Sequence, residues 1–482
     1  MTYPVAHTQL LIDNEWCDGQ RGDRLPTVDP STEAVICEVA QGRAEDIDAA
    51  VTAAQQAFTQ TWSVVEPRER SQWLYQLAQA IRVQVDSLAT LETYDTGKPL
   101  SHARGEVLGA ARYFEYYAGL ADKIHGETIP IGNDYIDLTW VEPLGVTAHI
   151  VPWNAPLSMV ARSLAPALAT GNTAVVKPAE QTPLTALALG ELVRSLDFPA
   201  GVYNVVNGFG HEAGAALSQH PGIHSLTFTG SVTTGRRVMQ AAAAQIKSIV
   251  LELGGKSPQL VFPDADLDQA VAEVAKGIYS NTGQYCDAGS RLVIHESIKA
   301  PFLEKLLAHT QTLTLGKGID DLDMGPLVSA EHWERVMGYI EKGQYEGATL
   351  LCGGDRPPHL ERGYFLQPTI FDQVTPDMVI AQEEIFGPVL VVLTFQEEAE
   401  AVAIANNSVY GLGAGIFTRD IDRALRLTKQ LQAGYVMVNE YFAGDIGAPF
   451  GGYKQSGIGR ERGLVALQNY TQIKNVTLRI RQ

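Results

Sequence analysis

The chain has 482 residues, 45% apolar and 19% charged, with 45 glycines and a formal charge of -19. That length suffices for two or three ordinary domains with more than one core, and the composition excludes disordered and fibrous classes. The acidic balance argues against a general nucleic-acid or anionic-membrane binder, because such partners would be repelled over most of the surface.

Four cysteines, Cys17, Cys37, Cys286 and Cys352, are scattered without a CxxC pair. Neither a disulfide framework nor a metal site is expected from that spacing. The stretch MTYPVAHTQLLIDNEW lacks a basic segment followed by a long apolar run, and no segment approaches the roughly 18 apolar residues of a membrane span. A cytoplasmic protein in a reducing compartment is expected.

In chain order, Ile47, Val51, Ala54 and Phe58 recur at helical spacing, as do Trp73, Leu74, Leu77 and Ile81, which predicts a helical N-terminal region. The segment TIPIGNDYIDLTWVEP (128–143) reads as a hairpin. From Gly145 five apolar strand candidates, in VTAHIV, TAVVKP, YNVVNG, SLTFTGS and SIVLELGG, alternate with helical stretches. This pattern predicts a doubly wound, largely parallel sheet whose strand C-terminal ends share one edge, where ligands bind. Asp-rich capping before Leu267, Val271, Val274 and Ile278 predicts a helix ending near Gly283. A second α/β alternation follows, with helices near 300–312 and 330–346 and strands near 389–395 and 435–439. The tail YTQIKNVTLRIRQ alternates like a strand with little to pack on, which suggests pairing with another chain.

Several residues stand where chemistry is done. Asn154 follows the strand VTAHIV, Glu252 closes SIVLE, and Cys286 sits in the Gly-containing loop NTGQYCDAGSR past a helix end. Each has an ordinary reading by itself: a turn former, an ion-paired carboxylate, an inert thiol. The stretch FTGSVTTG is strand, Gly-rich turn and helix, a weak phosphate-cradle signal.

Together, KPAE, FTGS, ELGGKSP, GQYC, EEIFGPV and PFGGYKQSGIGRE occur in this order over almost the whole chain. The set resembles the aldehyde dehydrogenase superfamily, in its hydrolytic branch that does not acylate coenzyme A. The resemblance implies Cys286 as nucleophile, forming a thiohemiacetal and, after hydride passes to NAD, a thioester. It implies Asn154 and the Cys286 N–H as oxyanion donors and Glu252 as the base that activates water. For NAD it implies contacts from Trp153, Lys177, Glu180, Gly230, Ser231, Glu384 and Phe386, with Glu180 disfavouring a 2′-phosphate. Glu461 matches a carboxylate assigned to proton relay.

The expected architecture is a Rossmann-like doubly wound NAD-binding domain (1–123 and 144–254), a second α/β catalytic domain (255–466) and a small β oligomerisation element (124–143 and 467–482). A homodimer or homotetramer is implied. Where many relatives carry an aromatic, this chain has Ala155, and Gly109, Ser158, Ser280 and Gly444 are also small, which points to a wide tunnel for a bulky or aromatic aldehyde. Tyr285, Asp287 and Phe450 are further candidate substrate contacts. Arg162 stands where many short-aliphatic enzymes have Trp. It either grips the carboxylate of a semialdehyde, pairs with Asp287 across the tunnel mouth, or pairs with another protein carboxylate. Asp287 is expected to point away from the sulfur, since a nearby anion disfavours thiolate. Two alternatives have other outcomes: a catalytically silent NAD-binding relative and a coenzyme A-acylating enzyme.

Overall fold

A computed structural model describes residues 3–480. Its strands build two large sheets, and the functional residues gather where one sheet's C-terminal edge meets the other's N-terminal edge.

The first sheet has eight strands. Its centre is the five-strand set expected from the sequence: Ser248–Glu252, Ser225–Thr229, Val146–Ile150, Thr173–Lys177 and Tyr203–Val205, all parallel. These runs are buried on both faces and rich in Val, Ile and Leu, as strands covered by helices on either side must be. Register aligns Ile150 with Phe228 and Lys177, and Thr229 with Glu252. The polar residues that follow each strand therefore emerge on one edge.

The N-terminal region departs from expectation. Residues 10–40 form four strands before the first helix, Ala44–Gln60. Leu10–Ile12 and Glu15–Cys17 add an antiparallel pair to the first sheet beyond Tyr203–Val205, and Arg24–Asp29 pairs with Ala34–Ala40 as a separate ribbon. Helical periodicity begins only at Ala44, and these short strands carry no long alternating signal of their own. Another departure is Gly457–Ile458, inside the stretch assigned to the second domain, which joins the first sheet antiparallel to Leu251 and Glu252.

The second sheet has seven strands, six of them parallel: Thr369–Asp372, Val389–Phe395, Arg291–His295, Pro258–Val261, Gly413–Phe417 and Tyr435–Val438. Thr349–Cys352 closes one side antiparallel. Leu260, Val293, Phe371, Val391 and Ile416 lie in its core. The loop from Leu253 to Ser257 leaves the first sheet and enters the second, so the two edges are tied covalently.

The hairpin of Thr128–Ile129 with Tyr135–Pro143 is present, and Thr471–Arg479 joins it as a third antiparallel strand. The tail thus pairs first with its own chain, since Val141 and Leu138 across from Ile473 and Val476 give it a partner the linear sequence did not reveal. Its last two residues, 481–482, lie outside the described residues. This sheet still exposes Trp140, Ile473 and Leu478. Among the described residues no helix is long and apolar enough to cross a membrane.

Candidate active site

Cys286 sits on the loop that precedes Arg291–His295, pressed against the inter-sheet segment. A Cβ on Gly255 would lie 2.5 Å from the Cys286 carbonyl oxygen, and a side chain on Gly254 would overlap the Glu384 carboxylate. Close packing explains both glycines of ELGGKSP. The helix before the cysteine, Leu267–Tyr279, ends four residues earlier than expected, because Asn281 (φ 48°) and Thr282 (φ 58°) turn left-handed. Such backbone is held only where neighbours over-determine it. Here Asn281 Nδ2 donates to the Asn154 carbonyl at 3.2 Å and Thr282 Oγ1 to the Gly325 carbonyl at 2.8 Å.

Asn154 is fixed from several sides. Its backbone carbonyl also accepts from Lys98 Nζ at 2.7 Å, and its own Nδ2 donates to the Gln284 carbonyl at 2.9 Å. The second amide proton remains for a ligand. Lys98 is itself buried between Glu92 and Glu106, and Tyr285 Oη donates to Glu106 at 2.7 Å. No motif pointed to this network. Asn154 starts the turn into the helix Pro156–Ala169, where Pro156 occupies the first turn and needs no N–H partner.

Glu252, Asn154 and Cys286 line one cavity of about 240 Å³ together with Trp153, Glu384 and Phe386. Glu252 is 2% exposed, and neither of its carboxylate oxygens has a hydrogen-bond partner among the described residues. Burial, then the Glu461 carboxylate, pushes its pKa well above the usual glutamate range, against Arg162, Arg460 and Arg462. Burial and then Asp287 push the Cys286 thiol up as well, with Arg162 opposing. Asp287, expected to point away from the sulfur, lines the same tunnel as Cys286, and its charge bears on the thiol. Both shifts have the same leading cause, burial of an ionisable group in the cavity, which opposes the charged form of each.

A tunnel of about 570 Å³ leads to the sulfur from the other side. Ala155, Ser158, Ser280, Tyr285, Phe450 and Gly109 all line it. A Cβ on Gly109 would meet nothing within 4 Å, so this position leaves open space. Gly444 is different: its φ is 132°, and a Cβ there would approach Tyr435 Oη to 2.5 Å. Backbone and the tyrosine demand glycine here, independently of tunnel width.

Arg162 projects from Pro156–Ala169 and pairs with Glu461, both almost fully buried. It does not pair with Asp287, because Glu461 is brought alongside it by the two-way backbone pairing of Phe450 and Glu461. Burial opposes the Arg162 charge, but the Glu461 and Glu252 carboxylates together raise its pKa. Replacing Arg162 with Leu is expected to destabilise the fold by about 3–5 kcal/mol, since Glu461 becomes a buried unpaired charge. Urea unfolding at neutral pH measures this, and a double Arg162→Leu, Glu461→Leu variant should recover much of the loss.

On the opposite side of the 240 Å³ cavity a groove of about 1040 Å³ runs over the C-terminal edge of the first sheet. Lys177 and Glu180 line it, with Lys177 Nζ donating to Glu180 at 3.0 Å. Ser231 borders both spaces and caps the helix Val232–Ala243, accepting from the Thr234 N–H at 3.2 Å. Trp153 and Gly230 also border both. Glu384 accepts from the Gly255 N–H at 3.1 Å, and burial pushes its pKa up to about 7. His332 and Arg335 line the smaller cavity too, without any motif having marked them. His332 is held neutral by burial, with a pKa lowered to about 4, and donates Nε2–H to the Phe386 carbonyl at 2.7 Å. Among the described residues no group of three His, Cys, Asp or Glu could hold a metal ion.

Comparison with known proteins agrees with this geometry. Residues 16–476 match the model of the aldehyde dehydrogenase family. Aldehyde dehydrogenase 1 of Tanacetum cinerariifolium is 47% identical over 99% of this chain and 96% of its own. A hydroxyisobutyraldehyde dehydrogenase of Mycolicibacterium austroafricanum is 46% identical over 98% of this chain and 94% of its own. An NAD+ complex of an aldehyde dehydrogenase from Bacillus cereus superposes with a TM-score of 0.97, at 45% identity over 99% of this chain and 97% of that one. The chain belongs to the aldehyde dehydrogenase family.

Proposed function

We propose that this chain oxidises an aldehyde to the carboxylic acid with NAD, through covalent capture of the substrate on Cys286. The observation that carries the reading is the convergence of Cys286, Glu252 and Asn154 on one cavity between a tunnel and a groove. The Cys286 thiol gives its proton to water as Sγ attacks the aldehyde carbon. The free Asn154 Nδ2–H and the Cys286 N–H hold the resulting oxyanion.

The groove suits a dinucleotide. Lys177 and Glu180 would hold the adenosine ribose, where the Glu180 carboxylate accepts from hydroxyls and repels a 2′-phosphate. Ser231, Gly230 and Trp153 would hold the middle of the molecule, and Glu384 and Phe386 the nicotinamide ribose. NAD, when bound, supplies the hydride acceptor. Glu252 then removes a proton from water as it attacks the thioester carbon; the C–S bond breaks, the acid leaves and the sulfur takes that proton from Glu252.

Asn154→Ala is expected to lower kcat by about 10²–10³-fold with a smaller change in KM, because the donor acts mainly on the developing oxyanion. Steady-state kinetics measure the split. The tunnel volume and the small residues Ala155, Ser158, Ser280 and Gly109 support a bulky or aromatic aldehyde. The buried Arg162–Glu461 pair weighs against the reading of Arg162 as a grip for a semialdehyde carboxylate, since gripping would strand Glu461. Glu461 acts through its charge on Glu252. Exposed Trp140, Ile473 and Leu478 on the three-stranded sheet support assembly into a homodimer or homotetramer, and a catalytic thiol suits the reducing cytoplasm.

The test is product analysis with NAD and an aldehyde panel, with and without coenzyme A. Free acid equal to the NADH formed, unaffected by coenzyme A, is expected. Acyl-coenzyme A as product, or no NADH from any aldehyde, contradicts the proposal.

A further inference from the structure

The tunnel contains two charged side chains that the chemistry above does not use. Asp287 and Arg462 both line it. Its other charges are already held: Arg162 by Glu461, Glu106 by Lys98 and Tyr285, and Asp445 through its Oδ1, which accepts from the Gly447 N–H at 2.9 Å. Among the described residues, neither Asp287 nor Arg462 makes an ion pair or a hydrogen bond with another side chain. Arg462 Nε is buried without an acceptor. Its guanidinium stacks over the Phe450 ring at 4.7 Å, which fixes its plane and leaves the Nε–H edge unpaired. Both line the same tunnel, where burial works against the Asp287 charge and Arg462 is the strongest cation offsetting it.

The surrounding wall is aromatic. Tyr285 and Phe442 meet edge to face at 5.5 Å, and Tyr113 and Phe450 also line the tunnel. Three kinds of distal group can be compared. A bare ring would cover both charged groups with apolar surface and offer neither a hydrogen bond, a desolvation cost for each. A carboxylate would pair with Arg462 but meet Asp287 as a like charge at low dielectric. A neutral hydroxyl satisfies both at once, since it donates one proton and accepts through two lone pairs.

We propose that the tunnel is built for a hydroxylated aromatic aldehyde, whose ring hydroxyl donates to the Asp287 carboxylate and accepts from the Arg462 guanidinium. This rests on the reading that Cys286 oxidises aldehydes, and it adds Arg462 and Asp287 as the residues that set the substrate class. Arg462 directly follows the family motif GRE, and its own backbone is left-handed (φ 62°).

The experiment compares kcat/KM by NADH formation for benzaldehyde, its three monohydroxy isomers, 4-carboxybenzaldehyde and propanal. It uses the full-length protein, Arg462→Leu and Asp287→Asn, each checked for cooperative unfolding. The best hydroxy isomer should exceed benzaldehyde by about 10-fold or more, as expected when a site rejects an analogue lacking a paired hydroxyl. That ratio should fall to near one in either variant. The carboxylated aldehyde should rank below benzaldehyde in the unaltered protein and improve in Asp287→Asn. A ratio near one in the unaltered protein, a ratio preserved in both variants, or a preference for the carboxylated aldehyde overturns the proposal. So does failure to oxidise any aromatic aldehyde. In that case propanal separates the two claims: turnover leaves aldehyde oxidation standing, whereas no NADH from any aldehyde sinks both. If one variant fails to fold, the ratio in the other decides.

Discussion

Replacement of Cys286 by Ala is expected to reduce NAD-dependent aldehyde oxidation by on the order of 10⁶-fold, the scale seen when a covalent nucleophile is removed from a unit that acts together. The loss should fall on kcat and leave the fold intact, because Cys286 faces two cavities and its sulfur makes no hydrogen bond among the described residues. Cys17, Cys37 and Cys352 should not substitute for it, since none lines either space. Retention of full NADH formation in the variant would remove the covalent mechanism altogether. Cys286→Ser is expected to be almost as inactive, because burial and Asp287 already oppose ionisation of the thiol and a hydroxyl ionises less readily still.

The second large effect concerns Glu252. Glu252→Gln keeps the shape of the side chain but cannot accept a proton, so kcat should fall by about 10²–10⁴-fold. The failure should come after the redox step: a burst of NADH up to one equivalent per site, followed by slow turnover as the thioester waits for water. The pH profile carries a second signature. A carboxylate must be ionised to act as base, and burial with Glu461 raises the pKa of Glu252. Activity should therefore rise with pH on an acid limb displaced above the ordinary glutamate value near 4.3. In Glu461→Gln the limb should move down, since a like charge has been removed. Stopped-flow fluorescence of NADH across pH measures both. An acid limb that stays in place in Glu461→Gln would contradict the electrostatic account of Glu252.

Much of the site was legible because its residues lie just past strand ends. The runs VTAHI, SLTFT and SIVLE are apolar and short, so the polar residues after them had to emerge on the ligand-binding edge of a parallel sheet. Asn154, Ser231 and Glu252 follow from that alone as edge residues. Their proposed roles came from the family resemblance that the six ordered motifs carry. What remained hidden depends on distant pieces of chain meeting in space. The partner of Arg162 is Glu461, and only the pairing of Phe450 with Glu461 brings it there. Lys98 behind Asn154, and His332 beside Phe386, belong to segments with no local signature. The early end of Leu267–Tyr279 was missed because apolar periodicity continues to Ile278 and says nothing about a left-handed turn at Asn281. Gly444 was read for its small volume, whereas its backbone and Tyr435 are what require glycine.

The most direct measurement is the intact mass of the Glu252→Gln variant after a single turnover with NAD and an aldehyde, followed by peptide mapping. The account predicts a protein heavier by the aldehyde less its two transferred hydrogens, in a yield matching the NADH burst, with the acyl group on Cys286. A burst of NADH with the protein mass unchanged, or an acyl group mapped to another residue, would contradict it.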